Sequence, residues 1–128
     1  MLSGKTIAGF LVFVLTAAEG VALADSTDKN LAVALDYFTY LGGRERDWAN
    51  AVAVDPSGSM YLTGTARSLD FPTVNAHRDS CAQGPNGSCV DVFVAKFSAA
   101  GELIYSTFLG SDEGDEGRAI AVDTEGNA

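Results

Sequence analysis

Apolar and polar residues alternate with a period of two in several short stretches of this chain. "NAVAVD" (residues 50–55) sets Ala51 and Ala53 on one side and Val52 and Val54 on the other. That is the period of a strand, whose successive side chains point to opposite faces. "MYLTGTA" (60–66), "DVFVAKF" (91–97) and "LIYSTFLG" (103–110) are also rich in residues that suit strands. The punctuation between them is regular. In "DPSG", Pro56 presets the φ of the second turn position, and Gly58 can take the positive φ that closes a hairpin. "SAAG" and "DTEG" place Gly101 and Gly126 at the same fourth position. Asp55 and Asp123 open two of these turns, where an Asp side chain bonds backbone N–H groups two residues on. The pattern predicts two hairpins separated by a long loop over residues 66–90.

Part of the chain is written twice. Setting Tyr37 against Tyr105, an offset of 68 without a gap, pairs Tyr37/Tyr105, Thr39/Thr107, Leu41/Leu109, Gly42/Gly110, Glu45/Glu113, Asp47/Asp115, Ala51/Ala119, Ala53/Ala121, Val54/Val122, Asp55/Asp123 and Gly58/Gly126 as identities. Recurrence in register marks a repeat architecture. "LAVALDYFTY" (31–40) has helical propensity, but its second half aligns with the strand at Tyr105, so a strand is expected from about Val33. By the same alignment, residues 118–123 are expected to form a strand. Two antiparallel hairpins per unit make a four-stranded sheet, the pattern of a propeller blade. Small Ala51 and Ala53 would let one neighbouring blade approach closely, while Val52 and Val54 would fill the gap to the other. A β-sandwich could use the same strands but does not account for a unit that recurs in register.

The phrases "YFTYLGG", "AVAVDPSGSMYLTG", "SLDFPT", "DVFVAKFSAAGELIYSTFLG" and "AIAVDTEGNA" together resemble the seven-bladed β-propeller repeat (SBBP repeat) of exported and cell-surface bacterial proteins. The resemblance covers residues 35–128. It implies an all-β fold of antiparallel four-stranded blades, here incomplete: about one full blade with flanking strands. The first repeat runs over about 37–104 and a truncated second over 105–128. Ser111 departs from the usual second Gly, Arg44 and Arg46 occupy a loop that is usually small and acidic, and the cysteine loop reads as an insertion. The family implies no shared catalytic set.

The first residues change the picture of where the protein works. Lys5 precedes an apolar run, "IAGFLVFVLTAA" (7–18), and "EGVALA" ends in Ala22-Leu23-Ala24. This is the layout of a secretory signal peptide, with cleavage expected after Ala24. Glu19 and Gly20 interrupt the run short of the roughly 20 apolar residues a spanning helix needs. Residues 1–24 are therefore expected to be a signal peptide, 25–34 an N-terminal segment and 35–128 the repeat region. The mature protein would be secreted, periplasmic or cell-surface, without a membrane span. A net charge of −9 and the lack of a basic stripe with interleaved aromatics argue against nucleic acid as a partner.

Candidate chemistry is sparse. Cys81 and Cys89 in "CAQGPNGSC" enclose seven residues and, in an exported chain, read as a disulfide staple. His77 is the only histidine, too little for a zinc site or a metal cluster. The densest acidic group is "SDEGDEG", with Asp112, Glu113, Asp115 and Glu116. Carboxylates in a glycine-rich loop could hold Ca²⁺, although the EF-hand template does not fit. The same residues also read as a solvated loop. No other cofactor is expected. Trp48 faces Glu116 in the second copy, so the blade does not require it; it either packs on a loop or contacts a ligand.

The expected function is that of an exported, non-catalytic repeat module binding protein or glycan at the cell surface. It is expected to be a fragment of a longer propeller, or else to assemble blades from several copies, because such units need neighbours in cis or in trans to cover both faces. The alternatives are a polysaccharide-acting hydrolase or lyase whose catalytic blades are absent here, and a structural spacer or adhesin segment.

Overall fold

The computed structural model describes residues 10–17 and 33–128, with side chains from residue 38 onward. The expected cleavage point after Ala24 lies outside the described residues. The described chain is all-β, in the order β1 (Phe10–Ala17), β2 (Val33–Leu41), β3 (Trp48–Val54), β4 (Met60–Ala66), β5 (Asp91–Phe97) and β6 (Leu103–Leu109). β3-β4-β5-β6 form one antiparallel sheet with neighbours in chain order, and β1 pairs with β2 in a separate ribbon. The four-stranded meander is a propeller blade, as the two predicted hairpins required. The strand expected from Val33 is β2.

The register decides the core. Met60, Leu62, Gly64 and Ala66 stand opposite Phe97, Ala95, Phe93 and Asp91, and Phe93 and Ala95 stand opposite Phe108 and Ser106. All these side chains share one face. Phe93, Ala95 and Phe108 are fully buried, with Leu41, Phe71 and the two cysteines in the same cluster. The cover is supplied by the long loop between β4 and β5. Phe71 lays its ring 4.9 Å from Phe93 and 5.7 Å from Phe108. The loop then runs along β6: Val74 exchanges backbone hydrogen bonds with Ser106, and Phe108 N–H donates to the Arg78 carbonyl. These bonds occupy the outer edge of the blade, which would otherwise invite pairing with another chain. Toward β3 the same face is open, and Val52 and Val54 are 56% and 58% exposed. No neighbouring layer fills the gap there among the described residues.

The opposite face carries Tyr61, Thr63, Val94, Tyr105 and Thr107, and residues 117–128 lie across it. Gly117 N–H donates to the Gly64 carbonyl (3.3 Å), and Asn50 Nδ2 donates to the Gly117 carbonyl (2.8 Å). Residues 118–123, expected to form a strand, do not. A strand is defined by its ladder, and no chain among the described residues lies beside this segment to exchange backbone bonds with it. The segment occupies the place where the first strand of a following blade would stack.

The three turns share one geometry. The residue at position 1, Asp55, Ser98 or Asp123, accepts at its carbonyl from Gly58, Gly101 or Gly126, and its own N–H donates to the carbonyl four residues on. Its side-chain oxygen accepts from the N–H groups two and four residues on, with Ser57 and Ser59, Ala100 and Glu102, and Glu125 and Asn127 as donors. The glycines have φ of 83°, 85° and 83°, the left-handed region that costs a side chain energy. The bonds pull both carboxyls below the usual range. The Ser57 hydroxyl is the main cause at Asp55, and the Asn127 side-chain amide at Asp123.

Tyr61 ties two of these turns together across the blade. It is fully buried, and its hydroxyl lies 2.9 Å from the Gly126 carbonyl and 3.1 Å from Asp55 Oδ2. Tyr61→Phe is expected to cost about 1–2 kcal/mol, since the one hydroxyl proton shared by the Gly126 carbonyl and Asp55 Oδ2 is lost from a buried position. Urea denaturation checks this, and hydrogen exchange at Gly126 and Asn127 should rise with it. Unchanged stability would mean that the turn at Asp123 is held without the tyrosine.

Candidate functional site

The three turns occupy one end of the sheet. The other end gathers the start of β3, the end of β4, the start of β5 and the end of β6, with the loops over 42–47, 67–90 and 110–117. The repeated carboxylates organise this end. Asp47, 7% exposed, accepts at Oδ1 from the N–H groups of Arg67 (2.8 Å) and Ser68 (3.1 Å). Its Oδ2 accepts from Gly43 N–H (2.8 Å) and the Ser68 hydroxyl (2.7 Å). Ser68 Oγ in turn accepts from Glu45 N–H. Asp47 therefore fastens the loop before β3 to the loop after β4.

Asp115, its counterpart, repeats the local half of this arrangement. It accepts from Ser111 N–H at 2.7 Å, as Asp47 does from Gly43 four residues back. Its own N–H donates to the Val90 carbonyl. Glu116 pairs with Arg118 at 3.1 Å on the surface. Of the four acidic residues considered for calcium, Asp115 and Glu116 thus have partners within the protein. Among the described residues no group of three or more metal-ligating side chains converges. His77 is exposed.

Asp91 is the buried carboxylate that strand parity should have flagged. It begins β5 on the same face as Phe93, and it is fully buried. Its Oδ2 accepts from Ala82 N–H at 2.8 Å, while Oδ1 has no hydrogen-bond partner. Burial pushes its pKa up, Asp115 adds to this, and the Ala82 bond and the nearby Arg78 guanidinium pull against it. Gly110 passes between the two carboxylates. A Cβ there would meet Asp91 Oδ1 and Asp115 Oδ2, each at 2.7 Å. Arg78 Nη1 donates to the Gly110 carbonyl. The disulfide Cys81–Cys89, Cα–Cα 5.8 Å, closes the loop that delivers the Ala82 N–H to Asp91. The staple is structural, as the spacing implied.

Trp48 opens β3 at this end and is half-buried. The Arg67 guanidinium lies 5.3 Å from its ring centroid, a cation–π contact. Among the described residues the ion pairs are Arg44–Asp70 and Arg118–Glu116, so Arg67 has no carboxylate partner there. Two clefts meet at Arg67 and Val90. One of about 480 Å³ runs past Glu45, Leu69 and the 87–89 backbone. The other, about 250 Å³, lies between Trp48 and the 114–116 loop. The arrangement offers an aromatic face, an unpaired cation, flanking carboxylates and an apolar floor. These are parts for recognition. Sequence reasoning singled out Trp48 but missed Arg67, whose position after a strand carries no motif.

The four-stranded antiparallel sheet is consistent with an incomplete propeller blade. A family model described as a beta-propeller repeat, SBBP, matches residues 36–72, from the middle of β2 through β3 and β4 to Pro72. No curated protein matches the chain.

Proposed function

We propose that the protein is an exported, non-catalytic propeller module that binds a protein or glycan at the cell surface through its loop end. The carrying observation is Trp48 with Arg67 over its ring, at the junction of two clefts. Aromatic and arginine side chains supply a large share of binding energy where they are partly desolvated. Export is supported by the apolar run over residues 7–18 and by the disulfide, which persists in oxidising compartments. Further blades, in cis or in trans, fit the half-exposed Val52 and Val54 and the unpaired segment 118–123. In this reading the chain is a piece of a longer propeller.

A glycan array and a panel of surface proteins, read with the purified chain, test the binding role. Trp48→Ala is expected to weaken any ligand found by about 30-fold, the loss typical of a central aromatic contact. The fold should survive, because the second copy carries Glu116 at this position. Equal binding by the variant would move the site elsewhere on the blade, and no ligand at all would favour a structural spacer.

A further inference from the structure

Thr65, near the end of β4, stands directly opposite Trp48 on β3, so the two side chains share a face. Arg67, two residues on, keeps to that side and lays its guanidinium over the Trp48 ring. All three line the cleft of about 250 Å³ bounded by the 114–116 loop. Thr65 is 1% exposed, yet among the described residues its Oγ1 has no hydrogen-bond partner. A buried hydroxyl normally finds one, and leaving it unpaired costs stability. Valine would suit the strand as well without that cost.

The charges around the two clefts at this end narrow what fills them. Glu45, Asp115 and Glu116 line them, and Arg67 is the one cation among the described lining side chains. An anionic ligand drawn to Arg67 would meet three carboxylates on a chain of net charge −9. A cationic ligand drawn to the carboxylates would meet Arg67 where the clefts join. An uncharged ligand rich in hydroxyls suits both signs: carboxylates accept from hydroxyls, a guanidinium donates to them, and each hydroxyl does both. The Trp48 ring adds a flat apolar surface for the C–H face of a sugar.

We infer that a neutral saccharide is the ligand of this end, with one sugar ring seated between Trp48 and the 114–116 loop, a hydroxyl on Thr65 Oγ1, and the next units running past Arg67 into the cleft of about 480 Å³. The inference rests on the binding role proposed above and narrows it to one ligand class. Arg67 is exposed, so its planar fork is free to leave the Trp48 ring to the sugar and turn to the sugar's hydroxyls. With Arg67 on the ring Thr65 is closed to solvent; the sugar replaces that guanidinium and brings the missing partner.

Trp48 is the only tryptophan of the chain, so its fluorescence reports the cleft directly. The test titrates the purified chain with cellohexaose, maltohexaose and mannohexaose, and with hexagalacturonate as an anionic control of equal length. A neutral hexaose should move the Trp48 emission to shorter wavelength, and hexagalacturonate should not. For the hexaose that binds, Thr65→Val should weaken binding about tenfold, the worth of one hydrogen bond, with stability to urea unchanged or raised. Arg67→Gln should weaken it by a similar factor. Response to hexagalacturonate alone, no response to any hexaose, or full affinity in Thr65→Val overturns the inference. A surface protein that binds while every hexaose fails leaves the binding role standing and removes only the saccharide; if neither binds, both fall.

Discussion

Replacing Asp47 by alanine is expected to destabilise the protein by about 3 kcal/mol or more. The carboxylate takes four donors, from Gly43, Arg67 and both the backbone and the hydroxyl of Ser68. Bonds to a charged acceptor are worth about 1.5–3 kcal/mol each, and a donor left unsatisfied in a buried place is costly in its own right. The sum is not additive, because the loop relaxes and Gly43 is near enough to solvent to find water. Asp47→Asn keeps one oxygen acceptor and should lose about half as much. Asp115→Ala should lose less still, since its bonds to Ser111 lie at the surface. Urea denaturation of the three variants gives the order. A cost below about 1 kcal/mol for Asp47→Ala would show that the two loops are fastened by packing rather than by this carboxylate.

The strands and turns were legible because both follow short-range rules. A period of two set β3 and β5, and the glycine at the fourth turn position fixed Gly58, Gly101 and Gly126 in the left-handed region. What could not be read depends on pairs distant in sequence. The strand expected over 118–123 has the right residues, but a strand is a property of two segments, and its partner is not among the described residues. Asp47 and Asp115 recur as one identity of the repeat, which by itself gave no role to either. The acidic residues of "SDEGDEG" suggested a cation; in the structure Asp115 accepts from Ser111 N–H, and Glu116 pairs with Arg118. Asp91 was not singled out: parity along "DVFVAKF" sets it on one face with Phe93, but its burial depends on a distant cover, the cysteine loop with Ala82. The tie from Tyr61 to Gly126 spans 65 residues and leaves no trace in any local pattern.

The second large effect concerns the cover of the core. Phe71→Ala is expected to cost about 3–5 kcal/mol, the range for removing a buried aromatic ring. Phe71 is 4% exposed and contacts the rings of Phe93 and Phe108, which belong to neighbouring strands. Its loss would also free the strap over Val74 to Arg78, so amide exchange at Ser106 and Phe108 should accelerate along with the fall in stability. Phe71→Leu keeps most of the apolar volume and should cost about 1–2 kcal/mol. The two effects argued here meet at Ser68. Asp47 holds its N–H and hydroxyl, and its carbonyl accepts from Phe71 N–H at 3.2 Å. Once Asp47 is gone, Ser68 no longer fixes where the ring enters the core, so the double variant should lose less than the sum of the two. Strict additivity would mean that Phe71 finds its place by packing alone, with the polar knot at the loop end serving only the clefts beside Trp48 and Arg67.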